Sequence, residues 1–112
     1  MSGISTHILD TALGTPAAGI AVTLERWQLD AWLVCASSLT DADGRINPLF
    51  PAEHVTLGRY RLNFLTAPYF ATAARPTFFP EVSITFDVER DGASCHVPLL
   101  LSGFGFSTYR GS

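Results

Sequence analysis

The chain has 112 residues and a formal net charge of −3, with 47% hydrophobic side chains against only 15% charged ones. That balance is too apolar for a disordered chain and fits one core, so a single domain over residues 1–112 is expected. The basic residues are all arginine (Arg26, Arg45, Arg59, Arg61, Arg75, Arg90, Arg110) and are scattered, which argues against nucleic acid or an anionic membrane as partner.

No apolar stretch approaches the ~20 residues of a membrane helix. The first seven residues carry neither the basic nor the apolar region of a secretory signal, so the cytoplasm is the expected location. A domain this small, with so few charges to cover its outside, is expected to bury apolar surface against another copy of itself.

Alternation of apolar and polar residues dominates the chain and points to half-buried strands. In residues 4–10, Ser5, His7 and Leu9 fall on one face and Ile4, Thr6 and Ile8 on the other. Gly14-Thr15-Pro16 ends that run, and residues 20–26 alternate imperfectly after it. Residues 31–37 are continuously apolar and read as a strand buried on both faces. Asp43-Gly44 marks a turn, and residues 60–64 alternate cleanly. Residues 67–74 are rich in alanine and read as a short helix, with Thr66 as its N-cap, Pro68 in its first turn and Arg75-Pro76 as its stop. Residues 82–88 alternate again, Asp91-Gly92 turns the chain, and residues 97–101 read as a second doubly buried strand. Near the end, Phe104, Phe106 and Thr108 share one face, with Ser107 and Tyr109 on the other. Short strands at this spacing, with turn signals between them, predict an all-β sandwich or barrel.

Polar residues in apolar settings are the candidates for chemistry. His7 and His96 each lie in a strand-like run, and taken singly each reads first as a hydrogen-bonded structural residue. Arg45 reads as a solvated charge beside its turn, and His54 as a surface loop residue. Three histidines without a close pair give no zinc spacing, and Asp41-Ala42-Asp43-Gly44 lacks the further ligands of a calcium loop; no metal is expected. No nucleophile elbow and no phosphate-cradling glycine loop is present. Cys35 and Cys95 fall in apolar runs and read as free thiols, with a disulfide between them as the alternative.

Four stretches together resemble one family. They are Ser5-Thr6-His7-Ile8-Leu9-Asp10, Asp43-Gly44-Arg45, Phe78-Phe79-Pro80-Glu81-Val82, and the C-terminal block from His96-Val97-Pro98 to Tyr109-Arg110-Gly111-Ser112. They are similar to the 5-hydroxyisourate hydrolases, relatives of transthyretin, and the last block is the most specific. The resemblance implies a transthyretin-like sandwich of two antiparallel sheets with one short helix. It also implies a homotetramer with active sites at the dimer–dimer interface, and hydrolysis of 5-hydroxyisourate in urate breakdown without a cofactor. It assigns catalysis to His7, Arg45 and His96, and substrate binding to Tyr109, Arg110, Gly111 and Ser112. Within that superfamily the Tyr-Arg-Gly-Ser ending belongs to the hydrolases, whereas transthyretins proper lack it and bind thyroid hormone. The alternative is therefore a small-ligand-binding protein of transthyretin type without turnover. A sandwich serving only as an interaction module is a third reading, and it leaves the conjunction of His7, Arg45 and the ending without explanation. The chain departs from many relatives at Ser94-Cys95, where His-Tyr is common, at Gly103 for proline, and at Phe104 and Phe106 for tyrosine. Those lost hydroxyls are expected to bear on packing or on hydrogen bonds near the site.

Overall fold

Alternating sequences fold into two facing sheets because each strand can bury one row of side chains and wet the other. In the computed structural model, which describes residues 3–112, nine strands and one short α-helix make that sandwich. The first sheet joins β1 (Ile4–Asp10), β2 (Thr15–Pro16), β5 (Arg45–Phe50), β8 (Cys95–Ser102) and β9 (Gly105–Thr108). Its order is β2-β1-β8-β9, with β5 also paired to β1. The second joins β3 (Ala21–Gln28), β4 (Ala31–Leu39), β6 (Gly58–Leu65) and β7 (Val82–Val88) in the order β4-β3-β6-β7.

The strands pair antiparallel, with one exception that matters for the site. β1 and β8 run parallel, with Ser5 opposite His96 and His7 opposite Pro98. Ile4, Ile8, Leu99 and Leu101 of the first sheet interleave with Val22, Leu24, Leu62 and Phe64 of the second, and all are fully buried. Each such side chain contributes about 1.5–3 kcal/mol relative to exposure. The opposite row of the first sheet (Ser5, His7, His96 and, on β5, Arg45) therefore faces away from the core.

Two expectations are corrected. Residues 31–37 are not buried on both faces: β4 is an edge strand, with Leu33 and Val34 exposed. Continuous apolarity in a short run does not distinguish a central strand from an edge. The helix, α1 (Ala67–Thr72), is shorter than predicted, since Ala74 turns into the left-handed region at φ 53°. Thr66 occupies the N-cap position, but its hydroxyl donates to the Phe79 carbonyl at 2.7 Å rather than capping the helix. By contrast, Val97, Leu99 and Leu101 are buried as expected, and the Asp43-Gly44 and Asp91-Gly92 turns form with left-handed glycines.

One polar group is fixed inside the sandwich. Asp10 is fully buried and receives a forked pair of bonds from Arg75 (2.6 and 3.2 Å), a third from the Tyr69 hydroxyl (2.7 Å), and two from the backbone N–H groups of Ala12 and Leu13. Burial alone would push its carboxyl up. The Arg75 and Tyr69 bonds outweigh that and bring its pKa down to about 2. This cluster ties the helical segment to β1. Cys35 and Cys95 are free thiols, Cys95 buried and Cys35 half-buried, where burial pushes the thiol pKa up. Among the described residues no helix is long and apolar enough to cross a membrane.

Candidate active site

The parallel pairing of β1 with β8 brings together residues 91 positions apart. The Ser5 hydroxyl lies 2.9 Å from His96 Nδ1. On the other side of β1, His7 stands opposite Arg45 of β5. His7 is one outward position beyond Ser5, so a rise of ~3.3 Å per residue and a strand spacing of ~4.8 Å put its backbone within about 8 Å of that of His96. Three adjacent strands thus present Arg45, His7 and His96 on one face of the first sheet.

Arg45 is placed by its turn. The Asp41 carboxylate accepts the backbone N–H groups of Asp43 (2.9 Å) and Arg45 (3.0 Å), and Gly44 supplies the left-handed φ of 72° that the reversal requires. The Gly44 carbonyl then accepts the Ile8 N–H at 2.8 Å, which pins the turn to β1. Asp41 is therefore a turn-forming residue. Among the described residues there is no group of three or more His, Cys, Asp or Glu side chains able to hold a metal.

The C-terminal residues close the site from the other edge. Gly111 pairs with His96 across an isolated bridge, its N–H donating to the His96 carbonyl at 2.8 Å. Any side chain at 111 would collide with the imidazole, because a Cβ there would lie 2.5 Å from His96 Cδ2. The result is a cleft of about 190 Å³ whose wall includes Ser5, Arg45, Asn47, His96, Gly111 and Ser112. Burial, then the nearby Arg45 and His7, hold the His96 pKa below the ordinary histidine value. That shift favours its neutral form.

Not every residue singled out in the sequence meets in that wall. His7 stands beside the cleft rather than in its lining, and Tyr109 and Arg110 line an adjacent groove of about 250 Å³ with Ile84, Phe86 and His96, which lines both cavities. His54 ends a single 3-10 turn, is exposed, and lies 6.0 Å from the Phe50 ring. The departures at 103–106 are in the β8–β9 hairpin and outside the cleft wall: Phe104 is exposed, and Phe106 packs edge-on against Phe79 at 5.2 Å. The departures Ser94 and Cys95 lie in the cleft wall, and Gly3, Ser5 and Asn47 are the cleft residues that the sequence did not mark as candidates. For Ser5 the local signal was its shared face with His7.

With this geometry in place, the chain can be set beside known proteins. The sequence model of the HIUase/Transthyretin family matches residues 4–111. The chain belongs to that family. It is 44% identical over 109 residues to the 5-hydroxyisourate hydrolase of Salmonella typhimurium, covering 97% of this chain and 80% of that protein. The solved 5-hydroxyisourate hydrolase of Klebsiella pneumoniae superposes with a TM-score of 0.85 at 41% identity, covering 99% of this chain and 100% of that one. Transthyretin from Sparus aurata superposes with a higher TM-score, 0.93, at only 28% identity, covering 99% and 97%. The backbone is thus common to both branches of the family, and sequence identity favours the hydrolases.

Proposed function

We propose that residues 1–112 form a single transthyretin-like domain that hydrolyses 5-hydroxyisourate to 2-oxo-4-hydroxy-4-carboxy-5-ureidoimidazoline in urate breakdown. The observation that carries the reading is the cleft itself: an arginine without an acidic partner among the described residues, a histidine whose neutral form is favoured and the Gly111-Ser112 ending share one small wall. The relatives named for this reaction, at over 40% identity, support it.

Opening the six-membered ring requires water to add to an amide carbonyl, an oxyanion to be stabilised, and the departing nitrogen to gain a proton. Water activation needs a neutral imidazole, which the lowered pKa of His96 favours, so the base role is assigned to His96 and His7 is the second histidine available to pass a proton. His96 Nε2 takes a proton as the water oxygen bonds to the carbonyl carbon. Arg45 offers its fixed fork of N–H donors to the oxyanion, a contribution of roughly 3–4 kcal/mol if one donor is well aimed. The C–N bond then breaks, and His7 supplies the proton to the nitrogen. Ser112, with Gly111, bounds the substrate, while Tyr109 and Arg110 shape the site from the adjoining groove. No step in this scheme calls for a cofactor.

The same sheet face carries Leu9 and Leu100, both half-buried, beside the polar site. A homotetramer that covers this face would complete the cleft and exclude water from it, which strengthens every charge interaction inside. Freshly generated 5-hydroxyisourate, followed by ultraviolet absorbance, tests the reading directly. Decay accelerated by the chain supports it. Decay at the spontaneous rate, in a folded assembly, would promote ligand binding without turnover.

A further inference from the structure

The His96 ring is held on two edges. Gly111 lies against its Cδ2 edge, and the Ser5 hydroxyl meets Nδ1 at 2.9 Å. Among the described residues Nε2 has no hydrogen-bond partner, so it is the nitrogen free to meet water or a ligand in the cavities that His96 lines. Ser5 is 6% exposed, and among the described residues its side chain makes this one hydrogen bond. Because Ser5 lines the cleft, its own O–H can find a partner there while its oxygen accepts from the ring.

A neutral imidazole carries one N–H, and a hydroxyl can either donate or accept. If Ser5 donated to Nδ1, the proton of the ring would sit on Nε2 and no lone pair would face the cleft. If Ser5 accepts from Nδ1–H, the Nε2 lone pair is presented to substrate and water. We infer that Ser5 is a positioning residue that accepts the Nδ1–H of His96 and so fixes the tautomer in which Nε2 serves as base. This rests on the base role proposed above for His96. The pairing also survives the reaction: when Nε2 takes the proton from water, Nδ1–H is still present and still donates to Ser5, so no partner has to be exchanged. A carboxylate in the same place would favour the charged ring, whereas a hydroxyl orients it without adding a charge.

The test combines long-range proton–nitrogen NMR of the histidine rings with steady-state kinetics on 5-hydroxyisourate, for the native chain, Ser5→Ala and Ser5→Thr. His96 in the native chain should show the Nδ1–H tautomer. Ser5→Ala should move the ring toward the Nε2–H form and lower kcat by roughly 10–100-fold, the usual scale for removing an orienting partner of a site histidine, with KM little changed. Ser5→Thr keeps the hydroxyl on a β-strand that tolerates branching, and should restore both the tautomer and kcat. An Nε2–H tautomer in the native chain overturns the inference. So does a Ser5→Ala protein with native tautomer and kcat, or a Ser5→Thr protein as impaired as Ser5→Ala. If the native chain fails to hydrolyse 5-hydroxyisourate, the proposed reaction falls, and the base role assigned to Ser5's partner falls with it. The spectra then separate a retained Nδ1–H hydrogen bond from its absence.

Discussion

The two sheets of this protein turn very different surfaces outward. On the second sheet Arg59 forks onto Asp87, and Arg61 meets Glu25, which also accepts from Asn63. Arg61 further lies over the Trp32 ring at 4.3 Å. On the first sheet Arg45 forms no ion pair among the described residues, and it stands with His96 in the wall of an open cleft, with His7 beside it. A charge that already has its partner adds solubility and a little rigidity. A charge held in place by its turn, yet left without a counter-ion, is available to something that is not part of the chain. Arg26 of the second sheet also lacks an acidic partner among the described residues, but its guanidinium donates to the Thr56 hydroxyl and the Leu57 carbonyl. It is therefore the contrast between engaged and unengaged arginines that points to the first sheet as the functional face, and it can be broken by experiment.

The largest effect is expected at His96, the proposed base. His96→Asn keeps a polar group of similar reach but removes the titrating nitrogen, so turnover should fall by about 10²–10⁴-fold while the fold is retained. The decay assay for 5-hydroxyisourate, paired with circular dichroism, checks both halves. A variant that keeps full activity would remove His96 from the mechanism. The pH profile sharpens the same point. Because the His96 pKa is lowered, its base form persists as the solution becomes mildly acidic, and the acid limb of kcat should lie below the ordinary histidine value.

Next comes a large effect on stability rather than on chemistry. Asp10 is a buried charge with a full set of partners, and Asp10→Asn leaves Arg75 and Tyr69 without it. The loss should be about 3–5 kcal/mol, read from urea unfolding. The sign with pH follows from the depressed carboxyl. The unfolded chain binds the proton at higher pH than the native one, so the contribution is complete above pH ~4 and is lost as pH falls toward about 2. Acid unfolding of the native chain over that window, blunted in Asp10→Asn, is the expected result.

Arg45→Lys is a finer probe of the unpaired cation. The charge stays but the planar fork is lost, so kcat should drop by about 10–100-fold if one well-placed donor serves the oxyanion. Unfolding should be unaffected, since the turn is held by Asp41 and by backbone bonds. An Arg45→Lys protein with native kcat would mean that only the charge matters there.

How far the sequence could lead depended on the range of the interaction. Alternation placed β6 and β7, and the turn glycines placed two reversals, because those signals are local. It also put Ser5 and His7 on one face. The edge position of β4 was hidden, since neighbours in a sheet are chosen by the whole fold and an apolar run looks the same at the centre or the rim. Thr66 has a capping residue's identity, but the Phe79 carbonyl took its hydroxyl. The Ser5–His96 bond was out of reach for the same reason. It depends on a parallel pairing between the two ends of the chain, which nothing in either segment announces. The family resemblance named His7, Arg45 and His96, but the partner that orients one of them emerged only from the register.

The smallest expected effect is the control that gives the comparison its meaning. Arg59 and Asp87 form a forked pair on the second sheet, and both side chains are more than half exposed. The pair holds the Asp87 carboxyl below the usual carboxylate range and raises Arg59, yet water screens most of what that coupling could add to folding. Arg59→Ala should therefore leave both the unfolding midpoint and the hydrolysis rate at native values, in low salt and in high. Lost activity in this variant, with the fold intact, would mean that the second sheet takes part in function. The distinction between engaged and unengaged arginines would then no longer tell the working face from the other.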